Sequence, residues 1–313
     1  MATKTITKSI PRAARVAAPA PLPAVRLTVN KAYKMYVGGA FVRSESGRYL
    51  QVTASSSGGA DPAIVNVPRG SRKDVRDAVL VAKNASEGWA ARTPFNKSQI
   101  LYRLAEMMES RRSELVTSLL RGGTAAAERE VDASIDRVVF YAGFADKFHA
   151  LVASSNPVAG PHFGFSVPEP MGVVCVIAPA RPSLLGLVST VLPLIASGNT
   201  CVAVCGMDDP RTPLLWCEQL ATSDLPGGVV NVLSGHASEL APIMARHREV
   251  MAMDVWGVDK ALAAEVEQLG TDNVKRVKVH GPQADWYDER KAQGLGFIER
   301  FLETKTIWHP VGI

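Results

Sequence analysis

The sequence predicts an α/β protein with a Rossmann-like parallel sheet of about five strands and helices on both faces. Five short apolar runs of buried-strand length alternate with four helical patterns between residues 173 and 279. This alternation favours a parallel sheet, because parallel strands need a helical crossover between them. The composition, with 47% hydrophobic and 21% charged residues, is globular and excludes a mostly disordered or fibrous chain. The most apolar stretch, 183–198, is shorter than the ~20 residues of a bilayer span, so no membrane protein is expected.

The N-terminal segment predicts a disordered arm followed by a pair of strands. Residues 1–30 are rich in Ala, Pro and basic residues and cannot bury enough apolar surface to order themselves. A transit peptide or a docking peptide is the alternative interpretation of this arm. From Lys34 the pattern alternates and turns at Gly38-Gly39, which is typical of short antiparallel strands.

Three helices are expected between these strands and the sheet. The first begins after Ser71, which has the position of an N-cap, and Asp74 is placed as its capping-box partner. The second covers about 96–120, and the third runs from about Thr124 to Ala150. The third helix has an apolar stripe at helical spacing, formed by Val131, Ile135, Val138, Val139 and Phe148.

The sheet elements themselves follow in order. The strands are expected at 173–178, 200–205, 229–235, 250–257 and 274–279, and the helices at 184–197, 213–222, 238–247 and 259–269. Ligands of such sheets bind beyond the carboxyl ends of the strands. Any site is therefore expected in the loops after Ala178, Cys205, Gly235 and Gly257.

The charge distribution argues against nucleic acid as a partner. The net charge of +5 depends on the N-terminal segment: eight of the 35 basic residues precede Glu45 and no acidic residue does. The 27 other basic residues face 30 acidic ones, so the body of the protein is slightly acidic. No basic patch interleaved with aromatic residues is visible, and we expect no nucleic-acid-binding face.

The cysteines and histidines do not form a recognisable reactive site. Four cysteines in apolar runs are typical of free, buried thiols in a cytoplasmic protein, not of a disulfide framework. The six histidines are scattered singly, so a solvated or singly hydrogen-bonded imidazole is expected for each and no metal site is predicted. Cys205 is the one thiol expected at a strand end facing the crevice, although no His or Glu follows it at a recognisable spacing.

Several collinear motifs resemble the aldehyde dehydrogenase superfamily. They are YVGGAFV, SRKDVRDAVLVAKNASEGWAART, SVPEPMGVVCVIAP, ASGNTCVAV and LATSDLPGGVVNVLSG, and ETKTIW is similar to the family's C-terminal strand. The resemblance implies a nucleotide-binding-type domain with N-terminal helices at 31–281, including an extended oligomerisation ribbon at 156–170. It also implies a C-terminal helix and oligomerisation strand at 282–313.

The departures from the family pattern imply a truncated member that lacks the catalytic, cysteine-bearing domain. VKVHGPQ stands where the family has the glutamate of its general base, with Val279 or His280 at that position. Only about twenty residues then separate Gln283 from Glu303, where the family has the catalytic domain. The family's Pro-Trp-Asn is replaced by Pro179-Ala180-Arg181, and the lysine that follows its second strand is missing. We therefore predict no catalytic residue.

The crevice residues are expected to be at most a vestigial cofactor site. Pro179, Cys205, Gly235 and Gly257 occupy the loops where a dinucleotide would lie. Gly235 and Gly257 precede helices, whose free N–H groups favour anions, although a structural turn is the expected role of both glycines. No cofactor is expected, and NAD or NADP would bind only if the chain retains activity.

Three functional hypotheses follow. The leading one is a noncatalytic, structural or regulatory protein that forms homo-oligomers or partners a full-length aldehyde dehydrogenase, because the resemblance keeps the ribbon and the terminal strand. We expect both segments to pair with another subunit instead of their own chain. The alternative is an NAD(P)-dependent aldehyde oxidoreductase whose site is rearranged or completed by a partner. A docking module led by the basic arm is a third option.

Overall fold

The central sheet has seven strands, and five of them run parallel as the alternation of strands and helices predicts. The structure is a computed structural model that describes residue 29 and the ranges 31–54, 63–120, 123–281 and 285–312. The disordered arm expected at residues 1–30 lies outside the described residues except at Val29. Residues 32–313 belong to one compact unit.

The secondary structure consists of short strands and helices in the order that the sequence indicates. The strands are β1 (Met35–Val37), β2 (Ala40–Val42), β3 (Tyr49–Ala54), β4 (Ala63–Pro68), β5 (Ser154–Asn156), β6 (His162–Pro170), β7 (Val173–Ile177), β8 (Thr200–Val204), β9 (Val230–Leu233), β10 (Ala252–Trp256), β11 (Arg276–His280) and β12 (Leu302–Pro310). The helices are α1 (Arg72–Ala90), α2 (Pro94–Ser110), α3 (Arg112–Ser118), α4 (Thr124–Phe144), α5 (Phe148–Val152), α6 (Ser183–Ala196), α7 (Arg211–Leu220), α8 (Ala237–Arg246), α9 (Lys260–Gly270), α10 (Glu289–Ala292) and α11 (Leu295–Glu299).

The strand order in the large sheet is β11-β10-β7-β8-β9-β1-β2. The first five are parallel to one another, whereas the β1–β2 hairpin adds antiparallel to β9 through the pair Tyr36 and Val232. The turn of this hairpin uses Gly38 and Gly39, whose φ angles of +65° and +84° suit glycine. The parallel part therefore has the five strands expected, and the N-terminal hairpin extends the sheet by two.

The sheet is covered on both faces, which explains why its strands are continuous apolar runs. All residues of β7, β8, β9 and β10 are buried. Val174 and Val176 face a core shared with α2, α4, α6 and α7, whereas Val173 and Cys175 face a second core under α1, α8 and α9. Helix α6 is buried along its whole length.

The capping box predicted for α1 is confirmed. The Ser71 hydroxyl accepts a hydrogen bond from the Asp74 amide at 3.3 Å, and the Asp74 carboxylate accepts one from the Ser71 amide at 2.8 Å. The same carboxylate accepts a hydrogen bond from the Ser44 hydroxyl at 2.8 Å, so the cap also links the start of α1 to the segment before β3.

The helix expected from Thr124 to Ala150 is interrupted, and Val139 is not part of its buried stripe. Helix α4 ends at Phe144, and Phe148 starts the separate short helix α5 with its side chain 2% exposed. Val139 is 41% exposed, because the buried face continues through Val138, Tyr141 and Ala142 instead.

The ribbon and the terminal strand pair with each other in their own chain. Strand β12 runs antiparallel to β6 over nine residue pairs, from Leu302–Pro170 to Pro310–His162, and β5 lies on the other side of β6. The expectation that these two segments pair with another subunit instead of their own chain is wrong in this respect. Each strand thus pairs with one hydrogen-bonding edge of the other. Among the described residues, the edges of this three-stranded sheet that stay open are the outer ones, on β12 and β5.

Candidate functional site

The four residues predicted for the crevice all follow a parallel strand at its carboxyl end. Pro179 follows β7, Cys205 follows β8, Gly235 follows β9 and Gly257 follows β10. The first two of these loops are in direct contact: a Cβ at Gly206 would stand 2.6 Å from the carbonyl oxygen of Pro179. The backbone of the protein therefore occupies the gap between the loops after β7 and β8.

Cys205 does not face the crevice, and that expectation is wrong. Its side chain is 2% exposed in the core under α6 and α7, and its amide continues the sheet by donating to the Leu233 carbonyl at 2.9 Å. Burial raises the pKa of the Cys205 thiol to about 12, because the thiolate would lose its hydration.

The other three thiols are equally inaccessible. Cys175 is fully buried in β7, and burial raises the pKa of its thiol to about 12. Burial likewise raises the pKa of Cys201 and of Cys217 well above that of a free thiol. All four cysteines of the sequence are free and buried, so none of them is poised as a nucleophile.

Gly235 and Gly257 are both turn residues. Gly235 has φ +153°, and a Cβ there would meet Leu240 Cδ1 at 2.9 Å. Its amide donates to Met207 Sδ at 3.3 Å, so this N–H is already engaged by the neighbouring loop. Gly257 has φ +66° and precedes Asp259, which caps α9. The cofactor-binding role of Pro179, Gly235 and Gly257 stays a prediction.

A cavity of about 440 Å³ lies at the carboxyl ends of β7 and β8. It is bounded by α4, by the loops after β7 and β8, and by the segment that precedes α10. Its charged lining consists of four carboxylates, Glu130, Asp208, Asp209 and Asp285, and one guanidinium, Arg181. Asp209 is paired with the buried Arg211 at 2.7 Å and Asp208 with Arg181, so Glu130 and Asp285 carry the negative excess of this lining. This excess disfavours the phosphates of a dinucleotide, because like charges repel across a low-dielectric site.

Two contacts within the chain engage polar groups beside this cavity that could otherwise bind an anion. Arg181 Nε donates to Asp208 Oδ2 at 2.8 Å and bridges the loops after β7 and β8. Glu130 Oε1 accepts hydrogen bonds from the amides of Leu184 at 2.7 Å and Leu185 at 3.4 Å, in the first turn of α6. Burial raises the pKa of Glu130, and these two amides oppose that rise. The free N–H groups of α6, which would suit a phosphate, are thus engaged by a carboxylate of the protein.

A second polar cluster occupies the carboxyl ends of β10 and β11. His280 Nε2 lies 2.7 Å from Asp254 Oδ1, and Trp256 Nε1 donates to Asp254 Oδ2 at 2.9 Å. The His280 ring stacks on Trp256 with 3.8 Å between ring centroids and 10° between planes. Asp254 is only 2% exposed, so both of its oxygens find partners as buried carboxylates require.

The sequence did not predict this dyad, although a signal for it exists. Asp254 interrupts the buried apolar run of β10, and a buried carboxylate needs a donor on a neighbouring strand. His280 is that donor because β10 and β11 are parallel neighbours, paired from Ala252–Arg276 to Trp256–His280. Of the two residues aligned with the family's glutamate, His280 therefore has the polar environment.

The segment before α11 covers this second cluster. Arg137 of α4, 2% exposed, donates to the carbonyl oxygens of Ala292 at 2.5 Å and Trp286 at 3.1 Å, and to the Ser189 hydroxyl at 2.6 Å. Trp286 packs on Trp256 with ring centroids 4.9 Å apart. The C-terminal segment is thus fastened over the ends of the strands by a buried guanidinium.

Metal-binding groups and membrane-spanning helices are both absent from the residues that the structure describes. Within those ranges, His, Cys, Asp and Glu side chains form no group of three that would hold a metal ion. No helix in the same ranges has the length and apolarity that crossing a membrane requires.

Comparison with known proteins places these features in a family. Residues 41–281 match the aldehyde dehydrogenase family. The chain is 31% identical over 248 residues to hydroxyisobutyraldehyde dehydrogenase from Mycolicibacterium austroafricanum, covering 78% of this chain and 48% of that protein. It is 29% identical over 260 residues to the cytosolic 10-formyltetrahydrofolate dehydrogenase of Homo sapiens, covering 80% of this chain and 28% of that protein.

Solved structures support the same fold. The NAD-dependent aldehyde dehydrogenase of Sinorhizobium meliloti superposes with a TM-score of 0.72 at 24% identity, covering 80% of this chain and 50% of the other. An aldehyde dehydrogenase from Bacillus cereus, solved as an NAD+ complex, superposes with a TM-score of 0.72 at 21% identity, covering 80% of this chain and 51% of the other. The chain spans about half the length of these proteins or less. From the match over residues 41–281, the chain belongs to the aldehyde dehydrogenase family.

Proposed function

We propose that this chain is a noncatalytic aldehyde-dehydrogenase-like protein that serves as a structural or regulatory subunit. The observation that carries the proposal is the burial of all four thiols, with the pKa of Cys175 and Cys205 raised to about 12 by loss of hydration. Thiol catalysis on an aldehyde needs an accessible thiolate near a base. No cysteine of this chain meets that requirement.

The geometry of the crevice supports the same proposal. Glu130 fills the amide positions of α6, and the Arg181–Asp208 ion pair joins the loops after the first two parallel strands. In the lining of the cavity beside them, Asp208 and Asp209 are paired with arginines, and Glu130 and Asp285 leave a negative excess. These residues do not fit the two phosphates of a dinucleotide, so the proposed role requires no bound cofactor.

The three-stranded sheet supports a role in assembly. Strand β12 has one edge paired with β6, and its other edge is open among the described residues. Trp308 on β12 is 63% exposed and Phe163 on β6 is 51% exposed. Open strand edges with exposed aromatic side chains favour association with another chain. We propose a second copy of this chain or a full-length aldehyde dehydrogenase as that partner.

Mass photometry of the purified protein tests the assembly role. We expect the wild-type chain to form an oligomer, alone or when coexpressed with a full-length aldehyde dehydrogenase. The double variant Phe163→Ser/Trp308→Ser is expected to shift the mass distribution to monomer. The control is Ile64→Ser on β4, which changes an equally exposed apolar side chain and should leave the oligomer intact. A wild-type chain that stays monomeric in both settings contradicts the role.

One observation favours the alternative, an NAD(P)-dependent aldehyde oxidoreductase with a rearranged or partner-completed site. The His280–Asp254 dyad stands at the position of the family's general base, and an imidazole held by a carboxylate is a suitable proton acceptor. Calorimetric titration with NAD and with NADP separates the two functions. Saturable heat at millimolar cofactor supports the oxidoreductase, and the absence of heat removes it for the isolated chain.

A further inference from the structure

Six arginines converge on two adjoining cavities between α1 and α8. The cavities measure about 390 and 240 Å³ and share Arg72 and Ile243 in their linings. They lie beside the helices of the second core, whereas the acidic cavity borders α4 on the other face of the sheet. We call this surface the arginine groove; its arginines are Arg48, Arg69, Arg72, Arg76, Arg246 and Arg248.

Helix stability does not explain the arginines of α1. Arg72 is the first residue of this 19-residue helix and Arg76 lies one turn later, so both are close to its positive end. Cations at the N-terminus of a helix are unfavourable, because the helix dipole already places positive charge there. The Asp74 carboxylate already offsets the dipole at this end of α1, and a bound anion would offset the two guanidinium groups.

Ion pairing accounts for only part of the groove. Arg69 is paired with Glu239, and Arg76 contacts Asp77 at 3.3 Å. Within the described part of the chain, no carboxylate pairs with the guanidinium groups of Arg72, Arg246 and Arg248.

Several arginines elsewhere in the protein are engaged by acids, although others, such as Arg92 on Asn96, are not. Arg103, Arg112 and Arg276 each contact a carboxylate at 2.6 to 2.9 Å. The body of the protein after Arg43 is slightly acidic by count, whereas the lining of the groove combines six arginines with one carboxylate, Glu239. The excess of cations therefore calls for an anionic ligand.

We propose that the arginine groove binds a small molecule that carries two linked phosphate groups. The guanidinium fork matches phosphate oxygens with two parallel hydrogen bonds, which a lysine cannot provide. The larger cavity alone has the volume of a small-molecule site, and the shared residue Arg72 places a cation where the two cavities meet. One phosphate lies against Arg72 and Arg76, and the other against Arg246 and Arg248.

Isothermal titration of the full chain with inorganic pyrophosphate at 150 mM salt tests the groove. We expect one saturable site. The double variant Arg72→Gln/Arg246→Gln is expected to weaken the affinity by about tenfold or more, because the loss of one charge-assisted hydrogen bond lowers the affinity by roughly tenfold. The control Arg92→Gln/Arg103→Gln removes the same charge from exposed positions on or beside α1 and α2 and keeps the affinity within about twofold.

Three outcomes would overturn the proposal. The first is no saturable heat with pyrophosphate up to millimolar concentration, and the second is an equal loss in the groove variant and the control. The third is citrate binding as tightly as pyrophosphate, which would assign the groove to carboxylates. If the double variant fails to fold, the single variant Arg72→Lys keeps the charge and removes the fork, and a several-fold weaker affinity then supports the proposal whereas an unchanged one contradicts it.

Discussion

Glu130 on α4 caps helix α6 through the amide of Leu184, 2.7 Å from Oε1. The relationship joins the N-terminal helical layer to the sheet domain at the point where a Rossmann-like fold ordinarily receives an anion. The carboxylate stabilises α6 by satisfying its first amides, and it also excludes a phosphate from them. One side chain thus contributes to the stability of the fold and occupies the amides of α6 that an anion would use.

Replacement of Glu130 by alanine is therefore expected to destabilise the protein. The change leaves two amides of α6 without their acceptor, and loss of a helix cap costs about 1–2 kcal/mol in the free energy of unfolding. Urea denaturation followed by circular dichroism measures this difference. Glu128→Ala, on the same helix, is the control and should change the stability by less than about 0.5 kcal/mol. Equal stability of the two variants would show that Glu130 does not cap α6.

Lys97 gives a prediction about pH. It is 5% exposed and donates to the Ala90 carbonyl at 3.0 Å, and burial lowers the pKa of its ammonium group to about 8. Below pH 8 the group is charged in both the folded and the unfolded protein, so folding carries the full cost of burying the charge. As pH rises from about 8 towards 10.5, the folded protein loses the proton first and the cost fades.

Lys97→Met should consequently stabilise the protein most near pH 7, by about 1–3 kcal/mol, because methionine removes the buried charge. The gain should shrink steadily between pH 8 and 10.5. Unfolding titrations at several pH values measure this trend. A gain in stability that is constant with pH would mean that burial does not lower the pKa of the Lys97 ammonium group.

The thiols are expected to be unreactive in the native protein. A thiol with a pKa of about 12, as burial gives Cys175 and Cys205, has roughly one thiolate in 10⁴ molecules at pH 8. Ellman's reagent should release no chromophore within minutes from the folded chain and four equivalents in 6 M guanidinium. A native thiol that reacts at the rate of free cysteine would contradict the burial.

The Asp254–His280 pair should contribute strongly to stability. Asp254→Ala leaves the His280 ring and the Trp256 indole without an acceptor and should cost about 2–4 kcal/mol. Asp254→Asn keeps one acceptor oxygen and should cost less. The exposed cap substitution Asp259→Ala, expected near 1 kcal/mol, serves as the reference. If alanine and asparagine at position 254 are equivalent, the carboxylate does not hold the ring.

Much of the fold could be predicted from the sequence because burial on both faces leaves a continuous apolar run. Strands such as VVCVI and TCVAV, and the capping box of Ser71 and Asp74, depend on local sequence alone. The pairing of β12 with β6 could not be predicted in this way. It joins segments about 140 residues apart, and the composition of an edge strand does not specify which neighbour it meets.

The site was predicted only as a location. The parallel order places the loops after Pro179 and Gly235 at one edge of the sheet, and the structure confirms that position. The contacts that decide its chemistry are tertiary: Glu130 reaches α6 from a helix more than 50 residues away, and the direction in which Cys205 points depends on the pleat at the end of β8. Asp254 in an apolar strand was the one local signal available.

The noncatalytic role is tested most directly by assaying the purified chain for aldehyde-dependent formation of NADH or NADPH, followed at 340 nm over a series of aldehydes. We expect no rate above the enzyme-free blank, because every thiol is buried and Glu130 occupies the first amides of α6. A full-length aldehyde dehydrogenase under identical conditions is the positive control. Sustained, saturable turnover by the chain alone would contradict the noncatalytic role.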